Sequence, residues 1–373
     1  MSDAKLTKTM KQDWEKIPFE DSIVKVKYTT KIPSNDYLEQ GLYPIVSQEE
    51  GVISGYWDNA NDVFKVSTPI VIFGDHTRIL KYVDFDFVLG ADGVKILQPI
   101  KSIDAKFFKL YLESCKIPSL GYSRHYKLLK ELQVPIPPRE EQERIVAELD
   151  CLSGVIERKR EQLRELDALA QSIFYQMFGD PITNEKGWVV KKLGEVGKVI
   201  TGNTPSTKDE ENYSSNDYCF VKPSDIGKDY VTKIENTEFY ISEKAFSQSR
   251  RLSKGSVLTT CIGIIGKVGI LKVDATCNQQ INAILPDDNS ISEYVAWAIY
   301  LTRSVLENIA NAPVVPIINK GEFSNILIPL PPKVLQQEFA DKIEAIEKQK
   351  ELIKKSISET ETLFNARMDY YFN

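Results

Sequence analysis

Histidine and cysteine are scarce in this chain, which has two histidines and five cysteines among 373 residues. His76 and His125 are far apart and share no metal-ligand spacing, so the sequence indicates no zinc site. The cysteines, at positions 115, 151, 219, 261 and 277, form no CxxC motif. An odd and scattered set of this kind predicts reduced thiols in a cytoplasmic protein.

Long apolar runs are missing as well. No stretch approaches the roughly 20 apolar residues that a membrane span needs, and residues 1–16 contain no apolar core of a secretory signal. Apolar residues make up 42% and charged residues 27%, which favours a globular protein over a disordered one. At roughly 100–200 residues per domain, the length predicts about two domains.

Catalytic motifs are also lacking. Gly266 and Lys267 resemble part of a phosphate loop, but Cys261 and Val268 stand where that motif needs glycine and serine or threonine. The surrounding glycines lie in a run of β-forming residues, which predicts a glycine-rich hairpin or bulge. The Asn/Asp-Pro-Pro-aromatic signature of adenine methyltransferases is missing, and the Glu-x-Lys at 157–159 falls on a predicted helix. The sequence therefore predicts no catalytic site.

The net charge of −6 would by itself argue against a nucleic-acid partner. Most of the acidic excess, however, lies within residues 135–180, and the remainder of the chain is close to neutral. The other regions can therefore present a basic surface locally.

An internal repeat is the most informative feature of the sequence. VPIPPREEQERIVAELD, from Val134, aligns with ILIPLPPKVLQQEFADKIE, from Ile326, when the prolines are superposed, and Gln142 then falls on Gln336. Upstream, Trp14 aligns with Trp188 at a smaller offset, so the second copy carries inserted loops. The chain therefore contains two copies of one module.

Each copy ends in a long pattern of apolar residues with alternating spacings of four and three, which is typical of a coiled-coil seam. We predict that two long helices pack against each other, antiparallel, through Ile145, Leu149, Leu152, Ile156, Leu163, Leu166, Ile173, Phe339, Ile343, Ile346, Ile353, Ile357 and Phe364. The second seam carries Lys350, Thr360 and Arg367 at positions that are apolar in the first. Either this helix depends more on a partner, or its distal half is packed less tightly.

The rest of each copy alternates short β-rich runs with one helical pattern, over 104–115 and 292–308, with Asp104 and Ser292 as N-caps. The predicted fold class is α+β, with two mixed α/β globular domains separated by two long antiparallel helices that form a coiled coil. The predicted boundaries are 1–134 and 181–328 for the globular domains and 135–180 and 329–373 for the helices.

Polar and basic residues are concentrated in the predicted turns between strands. Arginine and lysine can pair with phosphates or guanine edges, and asparagine and glutamine can bind adenine, although turns favour such residues for backbone reasons too. The candidates for DNA contact are His76, Thr77, Arg78, Lys81, Tyr122, Arg124, His125, Lys127, Asn203, Thr204, Ser206, Lys267, Asn278, Gln279, Asn319 and Lys320.

Together these segments resemble the specificity (S) subunit of type I restriction–modification systems. The segments that carry the resemblance are the paired helix openings at Val134 and Ile328, WEKIPFED from Trp14, WVVKKLGEVGKVITGNTPS from Trp188, IVIFGDHTRILKYVDFDFVLGADGVKIL from Ile70, and TCIGIIGKVGI from Thr260. The resemblance covers nearly the whole chain.

The resemblance implies two target-recognition domains, each reading one half of a bipartite double-stranded DNA sequence. It implies that the helices set the spacer and dock two modification (M) subunits, which bring S-adenosylmethionine for DNA methylation. Restriction (R) subunits, which use ATP and Mg²⁺, would join the same complex. The chain itself would be a non-catalytic subunit that binds no cofactor and no metal.

Two other interpretations stay open at this point. The chain could be the recognition portion of a single-chain restriction–methylation enzyme, although the missing methyltransferase and nuclease signatures count against it unless the chain is a fragment. Met1 and the aromatic residues at 370–372 favour a complete chain. Alternatively, it could be a coiled-coil scaffold whose globular parts bind proteins.

Overall fold

The computed structural model describes residues 14–91, 93–121, 123–310 and 315–373. Contacts divide these residues into two units. Unit 1 contains the described residues up to Arg158 together with Ser356–Asn373, and unit 2 contains Lys159–Lys355.

Unit 1 is built on short strands and two helices, followed by a 40-residue helix that continues into unit 2. The elements are β1 (Glu15–Pro18), β2 (Ile23–Val24), β3 (Tyr43–Val46), β4 (Gly55–Trp57), β5 (Val63–Phe64), β6 (Ile70–Gly74), β7 (Leu80–Val83), β8 (Phe87–Leu89), β9 (Val94–Pro99), α1 (Ala105–Ser114), α2 (Tyr126–Leu129), β10 (Gln133–Ile136) and α3 (Arg139–Phe178). They form two four-stranded sheets, ordered β2-β9-β6-β7 and β4-β3-β8-β5, and an antiparallel pair, β1-β10.

The core of unit 1 lies around α1. Asp104 caps this helix as predicted, because its carboxylate accepts hydrogen bonds from the N–H groups of Lys106, at 2.8 Å, and Phe107, at 3.1 Å. Phe107 is fully buried and packs against Phe372, with 5.5 Å between ring centroids. Leu149 joins the same core from α3. Unit 1 is therefore completed by residues from both ends of its sequence.

Unit 2 repeats this plan with more short helices. Its elements are β11 (Val190–Lys192), α4 (Leu193–Val196), β12 (Gly197–Thr201), β13 (Tyr218–Val221), β14 (Thr232–Ile234), β15 (Tyr240–Ile241), α5 (Glu243–Gln248), β16 (Val257–Thr260), β17 (Val268–Leu271), β18 (Ala275–Cys277), β19 (Ile281–Pro286), α6 (Ser292–Leu301), α7 (Arg303–Ile309), α8 (Lys320–Ser324), β20 (Leu327–Pro329) and the start of α9 (Lys333–Phe372), which continues into unit 1. The sheets are β12-β19-β16-β17-β14 and β15-β13-β18, and β11-β20 is an antiparallel pair.

The two long helices, α3 and α9, pack against each other within each unit. In unit 2, Phe174 near the end of α3 contacts Phe339 near the start of α9, with ring centroids 5.4 Å apart. In unit 1, Glu148 near the start of α3 bonds to Arg367 near the end of α9. The helices are therefore antiparallel, and the predicted α+β fold class with paired long helices is confirmed.

The predicted seam residues divide by burial. Six of them are buried: Ile145, Leu149, Ile156, Phe339, Ile343 and Ile346. The other seven are partly buried: Leu152, Leu163, Leu166, Ile173, Ile353, Ile357 and Phe364.

Two of the three polar positions of the second seam are paired across the helices. Lys350 is only 5% exposed, and its ammonium donates to Asp167 at 2.7 Å and to Glu347 at 2.9 Å. Arg367 forms a bidentate pair with Glu148. Thr360 bonds to the Ser356 carbonyl of its own helix at 2.7 Å. Charged partners on α3 thus replace apolar packing at two of these three positions.

Two details of the second copy differ from the prediction. The helix expected over 292–308 ends at Leu301, where the backbone of Thr302 leaves the helical conformation with φ of −94° and ψ of 16°. The Thr302 hydroxyl bonds back to the carbonyls of Ala298 and Ile299, and α7 then begins a new helix. Ser292 is the first helical residue and not the N-cap, a position that Ile291 takes without a side-chain bond.

The glycine-rich run is a hairpin, as predicted. Strands β16 and β17 pair antiparallel, and Gly263 and Gly266 in the turn between them both have φ of +78°. A side chain at either position would be strained by this left-handed backbone. Among the described residues, no helix is long and apolar enough to cross a membrane.

Candidate nucleic-acid interface

A buried glutamine connects each globular part to its long helix. In unit 1, Gln142 is fully buried, and its amide oxygen accepts from the Asp104 N–H at 2.7 Å. Its amide nitrogen donates to the carbonyls of Ser102 and Pro137, both at 2.8 Å. One side chain therefore joins the start of α3 to the start of α1.

Gln336 makes the equivalent contacts in unit 2. It is also fully buried, accepts from the Ile291 N–H at 2.9 Å, and donates to the carbonyl of Pro331 at 2.8 Å. A longer bond of 3.4 Å reaches the Asn289 carbonyl. The sequence repeat aligned the two glutamines, and in the structure each joins the start of a long helix to the start of a helix in the globular part.

The candidate loops of unit 1 meet where strands β6 and β7 of the first sheet are joined by a turn. The turn between β6 and β7 follows Gly74, and its main chain bonds to the segment before α2, where the Asp75 carbonyl accepts from the His125 N–H at 2.9 Å. Arg78, which has a left-handed φ of +64°, donates to the Ile117 carbonyl at 2.9 Å. The two loops that the sequence indicated separately are therefore adjacent.

Unit 2 repeats this pairing with main-chain bonds. The turn between β16 and β17 contacts the segment before α8, because the Ile318 N–H donates to the Cys261 carbonyl at 2.9 Å and the Gly263 N–H to the Pro316 carbonyl at 3.1 Å. Asn319 then caps α8 through its side chain, which accepts from the Glu322 N–H at 3.0 Å.

A further loop joins this surface in unit 2. The Asn203 N–H donates to the Cys277 carbonyl at 2.9 Å, and the Thr204 hydroxyl donates to the Gln279 side chain at 2.5 Å. Gly202 permits this close approach, since a Cβ there would lie 2.2 Å from the Asn278 carbonyl oxygen.

The candidate residues fall into groups by exposure. The exposed ones are His76, Thr77, Arg78, Arg124, Lys127, Thr204, Ser206, Gln279, Asn319 and Lys320. Asn203 and Lys267 are partly buried, and the Lys267 ammonium donates to the Pro223 carbonyl at 2.8 Å. Tyr122 lies outside the described residues.

Three candidates are buried, which differs from the surface position that the sequence analysis expected. Lys81 is 4% exposed and donates to the Ser47 carbonyl at 2.8 Å and to the Gly51 carbonyl, and burial lowers its pKa. His125 is fully buried with both ring nitrogens engaged. Asn278 is 8% exposed and bonds to Gln280. We assign these three side chains to loop structure and not to direct contact with DNA.

Some residues that support the loops were missed by the sequence analysis. The main-chain carbonyl of Gln48 accepts a hydrogen bond from the Thr77 hydroxyl at 2.6 Å, and its side-chain oxygen accepts one from the His76 N–H at 3.3 Å. Arg250 bonds to the Asn203 side chain through its N–H at 2.9 Å. Their partners are distant in sequence, so no local pattern marked them.

The two loop surfaces present hydrogen-bond donors, cations and amides. Such groups can pair with phosphates and with base edges. Within the part of the chain that the structure describes, no group of three or more histidine, cysteine, aspartate or glutamate side chains is arranged to hold a metal ion. The surfaces are therefore suited to binding a nucleic acid through polar contacts.

Comparisons with known proteins agree with this architecture. The family described as Type I restriction modification DNA specificity domain matches residues 11–168 and 185–362, one match for each copy of the repeat. The chain belongs to this family. It is the DNA specificity (S) subunit of a type I restriction–modification system, the component of such a complex that confers specificity and does not carry out catalysis.

Individual relatives show how far the likeness extends. The chain is 25% identical, over 73% of its length and 71% of the relative's, to the specificity subunit of the Escherichia coli type I restriction enzyme EcoR124I/EcoR124II. Its fold is similar to the S subunit from M. genitalium, with a TM-score of 0.62, 14% identity and coverage of 99% and 98% of the two chains. A chain from a study of complex assembly and conformational transition of the type I R-M system has a TM-score of 0.58, 18% identity and coverage of 96% and 97%.

Proposed function

We propose that unit 1 and unit 2 each present one DNA-reading surface, so that the chain recognises a bipartite double-stranded target. The observation that supports this most is that the same construction occurs twice. A hairpin turn, β6–β7 or β16–β17, is tied to the segment before a short helix, α2 or α8. Exposed polar and basic side chains lie on these loops in both units.

The proposal divides the chain by role. Residues 1–134 and 181–328 are the target-recognition domains, and residues 135–180 and 329–373 are the helices that fix the gap between the two half-sites. The acidic excess within 135–180 favours a protein partner for α3 over DNA. We assign that place to two M subunits, with R subunits joining the complex in the cytoplasm.

In this proposal the chemistry resides outside the chain. The M subunits bring S-adenosylmethionine and methylate the target, and the R subunits bring ATP and Mg²⁺. The loops of this chain hold the DNA in position for them. Sequence discrimination then comes from hydrogen bonds to base edges and from DNA shape.

A selection experiment tests the proposal. The chain is assembled with M subunits and incubated with a randomised double-stranded DNA library, and the bound fraction is sequenced. Enrichment of a motif split into two parts supports the proposal. Retained M binding with no sequence preference would instead favour the coiled-coil scaffold.

A matched pair of variants locates the interface in the same assay. Arg124→Ala removes a cation from an exposed loop of unit 1, and Lys65→Ala removes one from an exposed position of the same unit outside the candidate loops, where it pairs with Asp86 at 2.8 Å. We expect Arg124→Ala to weaken binding or to relax one half of the motif, while Lys65→Ala leaves both halves unchanged. Equal effects of the two substitutions would contradict the assignment of the loops.

A further inference from the structure

The imidazole of His125 connects two loops of unit 1 from inside the domain. Its Nδ1 lies 2.8 Å from the Asp75 carbonyl oxygen, on the turn between β6 and β7. Its Nε2 accepts a hydrogen bond from the Leu120 N–H at 2.9 Å, on the segment before α2. The ring is fully buried. Each nitrogen therefore holds a main-chain group of a different loop.

These contacts define the state of the ring. Because the Leu120 N–H is a donor, Nε2 must carry a lone pair, and the proton of a neutral ring is then on Nδ1, where it is donated to Asp75. Both bonds are made by this one tautomer.

Asp75 reinforces the connection from the other side. It is 1% exposed, and its carboxylate accepts from the Tyr126 N–H at 2.7 Å. Its own N–H donates to the Gly93 carbonyl at 2.7 Å, which ties the turn to the sheet, and Lys95 lies 3.8 Å from the carboxylate. The connection is thus anchored to the rigid part of the domain.

Exposed side chains extend from both loops on either side of this buried connection. His76, Thr77 and Arg78 follow Asp75 directly, and Arg124 precedes His125. The relative position of these side chains depends on the ring together with two other bonds between the loops, from the His125 N–H to the same Asp75 carbonyl and from Arg78 to the Ile117 carbonyl, both at 2.9 Å. The two ring contacts are the part that a substitution at position 125 removes.

Unit 2 does not use a side chain in this way. Asn319 occupies the position equivalent to His125 in the repeat, but its side chain caps α8. Main-chain bonds join the loops in both units, and in unit 1 the ring contacts of His125 are added to them. A substitution at His125 should therefore act on one unit only.

We infer that His125 is a positioning residue for sequence recognition: it sets the spacing of the two DNA-reading loops of unit 1 without touching DNA. This inference rests on the proposed function of those loops. A mispositioned loop loses base discrimination because base contacts require accurate hydrogen-bond geometry.

Two conservative variants separate the two connections. In His125→Asn the side-chain amide nitrogen can replace Nδ1 and keep the bond to Asp75, and in His125→Gln the amide oxygen can replace Nε2 and keep the bond from Leu120. His125→Leu removes both. Ser22→Ala is the matched control, since it removes a different buried hydrogen bond of unit 1, from the Ser22 hydroxyl to the Phe19 carbonyl at 2.6 Å.

The variants are assembled with M subunits, and methylation is measured on a library carrying every single-base change in the selected motif. We expect discrimination within one half-site to fall by about tenfold in His125→Leu, the scale of one lost base contact, and by less in the other two variants. The second half-site serves as an internal reference and should be unchanged, as should both half-sites in Ser22→Ala.

The possible results separate the two proposals. If the wild-type complex selects no split motif, the proposed function is wrong and the inference falls with it. If the wild type selects one but all three His125 variants retain its full discrimination, only the inference is wrong. Equal loosening of both half-sites, or the same loosening in Ser22→Ala, would also overturn the inference. If His125→Leu fails to fold, discrimination within the unit 1 half-site in His125→Asn and His125→Gln is the test: a loss in either variant supports the inference, and full retention in both overturns it.

Discussion

Replacing Gln336 by leucine is expected to destabilise unit 2 by about 2–4 kcal/mol. Leucine is similar in size but has no polar atoms, so the Ile291 N–H and the Pro331 carbonyl lose their partner in a fully buried position. A buried group left without a hydrogen bond costs about 1–3 kcal/mol. The Asn289 bond, at 3.4 Å, is too long to add much.

The adjacent residue supplies the control. Gln337 is exposed, and its amide donates to Asp341 one turn away at 2.8 Å, a helix-surface pair worth about 0.2–0.5 kcal/mol. Gln337→Leu therefore makes the same chemical change at the next position with little expected effect.

Hydrogen exchange and urea unfolding measure the difference. In Gln336→Leu we expect a lower unfolding midpoint and faster amide exchange in peptides that cover the start of α6. Gln142→Leu should do the same at the start of α1, because Gln142 makes the equivalent bonds. If Gln336→Leu and Gln337→Leu agreed within about 0.5 kcal/mol, the size of an ordinary surface effect, the reasoning would be refuted.

Three further predictions concern the long helices. The hydrogen bond from Arg367 lowers the pKa of Glu148 from its ordinary value of 4.5. The contribution of the Glu148 carboxylate to stability is therefore present above that pH and is lost as the pH falls through the lowered pKa. Glu148→Gln should flatten the acid limb of a stability–pH curve, and an unchanged slope would count against the pair. Lys350→Met should change the free energy of unfolding by no more than about 1 kcal/mol, because Asp167 and Glu347 are partly exposed and can be hydrated. Lys350→Glu should instead lower the free energy of unfolding by about 2 kcal/mol or more, because it buries a third carboxylate beside these two. Equal effects of the two substitutions in urea unfolding would contradict this. Inserting four residues into the middle of α3, about one turn, should alter the preferred gap between half-sites and leave the half-sites themselves unaltered in the library selection; a fixed gap would mean that α3 does not set it.

The long helices could be predicted because their signal is local. The spacing of apolar residues in α3 and α9 repeats within every seven positions, so each window of the sequence carries the information. The antiparallel partner and the duplicated glutamines followed from the repeat. The contacts of Gln142 did not, because Ser102 and Asp104 lie about 40 residues earlier in the chain.

The loop candidates show where sequence reasoning stopped. Lys81 and His125 look like surface residues, since Lys81 carries a charge close to the predicted turn at 74–78 and His125 stands among polar neighbours in a turn-rich stretch. Their burial is decided by partners that are 34 residues away for Lys81, at Ser47, and 50 residues away for His125, at Asp75. Long-range pairing of loops determines such positions, and composition does not report it.

The division of the chain between the units has a consequence during synthesis. Unit 2 is one continuous stretch, Lys159–Lys355, so all of its residues are available for folding once Lys355 has left the ribosome. Unit 1 must wait for Ser356–Asn373, which supply Met368 and Tyr371 to its core. Most of unit 1 is therefore translated before unit 2 but is completed after it, and until then its exposed apolar surface at α1 is available to chaperones.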